Sequence, residues 1–408
     1  MPPARQKVYD TGMGLGGRGS HRTTPLWLTM LLGVVLIGCS PVDRARFGFE
    51  ALKVRWHRVT LADALGDEDL RADWRQKIET VDAVRRFAPD LGLDPGDAFA
   101  TFTRLHLDHP GYVLTAAPHA SLQSRMWWAP PLDAVPYKGF VELRRARDEA
   151  SLLEHRGYDT HIRIASTFRS FGWLATPLLD QHLERDDVAL VRLVLREIQR
   201  NSVALPGARA VAFNESFATF VAYRGTIAFF EERAPDSDLA RGARVGWTAE
   251  RRYGAYLGRL AASLDGAYRT AADEDTALTA KAHLLEAAQH DLDALSAHYE
   301  KLGIPRFLPP RNNAALLYHL HRTSGFDLFE AVHARTRDLQ RTIDLISRAA
   351  TAHPDAPYTA IRDTLADGEP IPPAQDLIPA EAPPHSNEAD PTEDADDQGR
   401  NPERTPAP

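Results

Sequence analysis

From Asp187 onward almost every stretch of this chain carries a helical hydrophobic period, and that limits the possible folds more than any other feature. Asp187–Val203 and Asn214–Glu232 each read as one helix, and two or three long Ala/Leu-rich helices follow, up to about Ala349. Leu61–Phe87 is helical too, with Leu65, Leu70, Trp74, Ile78, Val81 and Val84 tracing a stripe. Between these lie strand signals: Gly111–Ala117, Arg125–Ala129 and the alternating Asp159–Ala165. A helix over Val141–Tyr158, closed by Gly157, interrupts them. The pattern predicts an α+β fold, a mainly helical body preceded by a small β-sheet, with no internal repeat. One cysteine, Cys39, excludes an intramolecular disulfide, so the 43% of hydrophobic residues must hold the fold by packing alone.

The two ends differ from the middle. Positions 1–38 read as a signal peptide: Arg5, Lys7, Arg18 and Arg22 precede an apolar run from Pro25 to Gly38, and either Met1 or Met13 can serve as the start. Leu36-Ile37-Gly38-Cys39 resembles the lipobox of bacterial lipoproteins. That resemblance implies lipidation of Cys39, with Ser40 favouring the outer membrane facing the periplasm; the plainer alternative is a buried cysteine ending a signal anchor. From Asp367 to Pro408 proline and acidic residues dominate without period, which predicts a disordered tail. The folded domain is therefore expected over 39–366. A net charge of −8 leaves no basic footprint for nucleic acid.

The first long helix holds an oddity. Leu190, Val191, Leu193, Val194, Leu195 and Ile198 suit a core, yet Arg196 and Arg200 share one face with Glu197 beside them. In the next helix Asn214 reads as the N-cap and Glu215 as a first-turn acid, with Phe213, Phe217, Phe220 and Val221 as the packing face. One helix with a central glutamate followed by a second donating another is the layout of zincin metallopeptidases, whose H-E-x-x-H motif binds zinc.

Further motifs make the likeness specific. Val135-Pro136-Tyr137-Lys138-Gly139-Phe140, Gly157-Tyr158-Asp159, Phe171-Gly172-Trp173 with Pro177-Leu178-Leu179, Phe213-Asn214-Glu215-Ser216-Phe217-Ala218-Thr219 and Asn312-Asn313-Ala314 occur in order. In these the chain resembles a family of bacterial predicted zinc aminopeptidases, many of them lipoproteins. The resemblance implies a zincin-like, gluzincin-type body. It makes Glu197 the general-base position and Glu215 the third metal-ligand position, and it places Arg196 and Arg200 at the two metal-binding histidines. Phe168, Arg169 and Thr176 also depart from the family's Tyr, Ser and Asp.

Arginine keeps its proton and offers no lone pair, so no metal is expected here, although zinc is the family's cofactor. No two of the 16 histidines are four apart; His106 with His109, and His319 with His321, are the closest pairs. Three roles stay open for the arginines: an ion network with Glu197 and Glu215 replacing the metal, an ordinary solvated face, or a cleft holding an anion. Two function classes follow. One is a metal-free, catalytically degenerate envelope lipoprotein binding a peptide or protein. The other is an active aminopeptidase with rebuilt ligands; a third possibility, a purely structural or assembly module, predicts neither metal nor peptide binding.

Overall fold

The computed structural model describes residues 58–104, 111–128, 134–165, 176–207 and 210–366. All of these belong to the second of two units, 1–41 and 42–408. The signal peptide, Cys39, the 367–408 tail, His106, His109, Phe168, Arg169 and the Phe171-Gly172-Trp173 motif lie outside the described residues.

The described chain opens with β1 (Val59–Thr60) and α1 (Leu61–Gly66), followed by α2 (Ala72–Phe87). The continuous helical stretch expected over Leu61–Phe87 is thus two helices. Asp67 makes the break: its carboxylate accepts from the Asp69 amide at 3.0 Å and its carbonyl from the Leu70 amide at 3.2 Å. A short acidic side chain that bonds its own backbone favours a turn over another helical turn. The stripe still does what its spacing implies, since Leu70, Ile78, Val81 and Val84 are buried.

Next come β2 (Thr101–Thr103), β3 (Tyr112–Pro118), β4 (Trp127–Trp128), β5 (Ala134–Val135), β6 (Lys138–Phe140), α3 (Leu143–Glu154), β7 (Tyr158–Ile164) and β8 (Leu178–Leu179). The one small sheet expected is three. β2 lies between β1, antiparallel, and β8, parallel; β3 lies between β6 and β7, both antiparallel; β4 pairs with β5. α3 covers the middle sheet, burying Ala146, Ala150 and Leu153 against Leu114 and Phe140. Gly157, at φ +81°, makes the turn from α3 into β7, a conformation that favours a residue without Cβ.

The helical body consists of α4 (Asp187–Ser202), α5 (Val211–Arg233), α6 (Asp238–Thr270), α7 (Glu274–Glu300), α8 (Asn313–Thr323), α9 (Phe326–Thr336), α10 (Leu339–Ala352) and α11 (Pro357–Ala366). The long helices expected up to Ala349 hold only as far as Glu300. Beyond it the chain is cut into short helices by Pro305, Pro309 and Pro310, by Gly325 and Arg337 in the left-handed region, and by Asn312 and Asp338 as side-chain N-caps. One hydrophobic core gathers α1, α2, α4, α5, α9 to α11 and the first turns of α6, and a second gathers the rest of α6 with α7 and α8. Among the described residues no helix is long and apolar enough to cross a membrane.

Candidate functional site

Two helices build the site. Asp186 is the N-cap of α4, its carboxylate accepting from the Ala189 amide at 2.7 Å, and the helix buries all six of its core-type residues from Leu190 to Ile198. α5 crosses it closely because Gly225 has no side chain: a Cβ there would stand 3.0 Å from Leu195 Cδ1 and 3.1 Å from Leu91 Cδ1. On its apolar side α5 packs Phe213, Phe217 and Phe220 around Phe329, at ring separations of 6.1, 5.5 and 5.4 Å. Asn214 is not the N-cap expected. α5 begins at Val211, and the Asn214 amide instead ties the preceding loop, accepting from the Leu205 amide at 3.0 Å and donating to its carbonyl at 2.9 Å. These contacts fix the rotation of α5 and turn Glu215 toward α4.

There the four charged residues meet. Arg196 Nη2 donates to Glu215 Oε2 at 3.0 Å. Arg200 Nη1 donates to Glu197 Oε1 at 2.9 Å, and its Nη2 to Glu215 Oε1. Both arginine side chains are about one-seventh exposed and Glu197 is 2% exposed, so the solvated-face reading is overturned. Two positive and two negative charges balance inside a partly dry site, where charge-assisted bonds are strong and an unpaired charge is costly.

Zinc, the metal implied by the resemblance, does not fit these side chains. The guanidiniums supply no lone pair, three of the four carboxylate oxygens already accept from them, and an entering cation would meet two fixed positive charges. Among the described residues no group of three or more His, Cys, Asp or Glu side chains is placed to hold a metal ion. Glu197 is nearly fully buried, and its Oε1 accepts from the Arg200 guanidinium.

A family model described as "Putative aminopeptidase" matches residues 45–357, most of the chain and all of this site. The chain belongs to this family. Neither a curated protein nor a solved structure matches it.

Other motif residues of this aminopeptidase family member make contacts between elements. Asp159 of the Gly-Tyr-Asp turn accepts from Lys281 Nζ at 2.5 Å and from the Asn313 amide at 2.9 Å. Asn313 Nδ2 reaches the carbonyls of Pro118 and His119, and Asn312 Nδ2 that of Thr160. The separated Asp159 and Asn312-Asn313 motifs therefore meet, binding the β3–β7 sheet to α7 and α8. Lys138 pairs with Glu149 of α3 at 3.1 Å. Thr176 is buried, and its carbonyl accepts from the Phe99 amide at 2.7 Å.

Beside the network a cavity of about 200 Å³ opens between α4, α5, α6, α8 and the segment 304–308, with Arg196 in its wall. Sequence reasoning missed its arginines, Arg185, Arg192, Arg306 and Arg322. One signal was available: Arg192, Arg196 and Arg200 recur every four residues and so continue a single helical face. It missed Lys281 as well, an isolated lysine in an Ala/Leu-rich helix with no local mark of its partner 122 positions away.

Proposed function

We propose that this protein is an envelope lipoprotein with a zincin-like, gluzincin-type body that has given up zinc catalysis and binds a peptide or protein through the inherited cleft. In this reading Arg196 and Arg200 stand at the two histidine positions, Glu197 at the general-base position and Glu215 at the third-ligand position, and no metal is held. Cys39 is the lipid anchor that tethers the body to the outer membrane, facing the periplasm.

The observation that carries the reading is the pairing of both glutamates with the two arginines. Removing zinc from between two carboxylates leaves like charges facing each other, at a cost of several kcal/mol if they stay buried and ionised. Two guanidiniums restore the double positive charge and fork onto the carboxylates. The same substitution that preserves the fold thereby occupies the groups a metallopeptidase needs.

Metal analysis of the purified protein, with a screen of aminoacyl-naphthylamide substrates, tests this directly. We expect neither stoichiometric zinc nor cleavage; zinc together with chelator-sensitive hydrolysis overturns the reading in favour of an active aminopeptidase. The Arg196→His/Arg200→His double variant tests the zincin-like body separately. It should acquire one zinc per chain, and a folded variant without zinc argues against that ancestry. Palmitate labelling that is lost in Cys39→Ser checks the anchor.

A further inference from the structure

Gly246 is buried in α6 and lines the cavity beside the ion network. Nothing in the packing requires a glycine at this position. A Cβ there would meet no atom nearer than 3.8 Å, Ile304 Cδ1 and Tyr223 Cε1 being the closest, and the backbone is ordinary helix. Gly254 in the same helix is different, because a Cβ would stand 2.7 Å from Thr323 Cβ, and Gly258, which has open space before it, faces solvent. Glycine is the weakest helix former after proline, so a buried glycine without a close neighbour weakens α6 and improves no contact. What it does is leave room. α4 and α5 present Ala189 and Ala222 to the same space, so three helices line it with residues that have little or no side chain.

We propose that this cavity receives the side chain of a Trp or Tyr residue of a bound peptide, which deepens the peptide-binding reading above and rests on it. Size limits the occupant. A cavity of about 150 Å³ is enough to bind benzene, so the roughly 200 Å³ here takes one substituted ring. Shape selects a flat group. In the wall Tyr253 and Phe307 stack at 4.9 Å with 9° between their planes. Arg192 lies over the Tyr223 ring, 4.7 Å from its centre, and Arg322 lies 5.5 Å from the centre of Tyr318 while its Nη1 donates to the Tyr318 hydroxyl at 2.5 Å. Both arginines are already engaged within the protein, so they contribute guanidinium planes held beside rings and not free charge. An aromatic side chain packs offset or edge-on against such rings and face-on against such guanidiniums, whereas a branched aliphatic one matches neither plane. The charged part of the wall meets the polar tip of the incoming phenol or indole, and Ile304 and Phe307 meet its apolar body.

A pool of N-acetylated, C-terminally amidated random pentapeptides is offered to the full folded protein, and retained peptides are identified by mass spectrometry. Trp or Tyr should be enriched at least fivefold over its share of the pool. Gly246→Leu, which fills the space from within and suits a helix better than glycine, should abolish that enrichment. If peptides are retained without preference for Trp or Tyr, or if the preference survives in folded Gly246→Leu, peptide binding stands and the aromatic site is overturned. If no peptide is retained, both readings fall together. A rise in melting temperature produced by N-acetyl-tryptophanamide in the unmodified protein, and absent from Gly246→Leu, would then reassign the cavity to a free aromatic molecule. The composition of the peptides held by the unmodified protein decides the matter even if the variant fails to fold.

Discussion

At the scale of single residues, Arg200 is the pivot of the site, because its two terminal nitrogens serve two carboxylates on two helices. Arg200→Ala removes the guanidinium that Glu197 and Glu215 share, and should cost about 3–5 kcal/mol, the usual penalty for breaking a buried pair. Arg196→Ala leaves Glu215 with Arg200 and should cost about 1–2 kcal/mol. Denaturant melts of the two variants check the order; an unchanged melting temperature on replacing both arginines by alanine would refute the network as a stabilising replacement for a metal. His161 supplies a second test at this scale. Burial, helped by Arg163 and Arg311, lowers its pKa from 6.5 to about 4. The unfolded chain therefore binds a proton that the folded one refuses, and stability must fall as pH drops from 6.5 toward 4. Over that window the loss is of order 3 kcal/mol, at about 1.4 kcal/mol per unit. Burial lowers His321 and His333 in the same direction. Melts at pH 7 and 4.5 should show a difference that shrinks in His161→Gln. The acid–base pairing at Glu197 and Glu215 could be suspected from residue types and the i, i+4 spacing, whereas the burial that perturbs His161 has no sign in the residues beside it.

At the scale of elements, the close crossing of α6 and α8 forms one side of the cavity. A Cβ on Gly254 would stand 2.7 Å from Thr323 Cβ, so Gly254→Ala forces the helices apart. Overpacking costs about 1–3 kcal/mol and the gain in helix propensity returns about 1 kcal/mol, which leaves a net loss. Gly258, one turn later, has nothing within 4 Å of such a Cβ, and Gly258→Ala should stabilise by up to about 1 kcal/mol. Thermal melts of the pair give opposite signs if the crossing is as close as described. Helix existence was legible from periodicity, and the apolar faces of α2, α4 and α5 are buried where the spacing put them. Helix ends were less legible. Asn214 has the chemistry of a cap but spends it on Leu205, because the polypeptide loops back there, and Asp67 breaks a helix whose hydrophobic stripe runs on past it.

At the scale of the whole molecule, the buried Asp159–Lys281 pair with Asn313 joins the β3–β7 sheet to α7 and α8. Both charged side chains are about one-tenth exposed. Lys281→Met should therefore leave an uncompensated carboxylate at a cost of about 3 kcal/mol, with hydrogen exchange speeding up in β7 and α8 before it does in α4 or α5. Exchange that rises uniformly would mean that the junction is not a separate unit of stability. The helical character of this chain, its dependence on packing in the absence of disulfides, and the order of its family motifs are properties of neighbouring residues, which is why they could be read along the sequence. The pairing of Arg196 and Arg200 with Glu215, the meeting of Asp159 with Lys281 and Asn313, and the cationic wall of the cavity were decided only in three dimensions. Each joins side chains on different elements, whose facing depends on how helices cross and strands pair, and no local pattern records that.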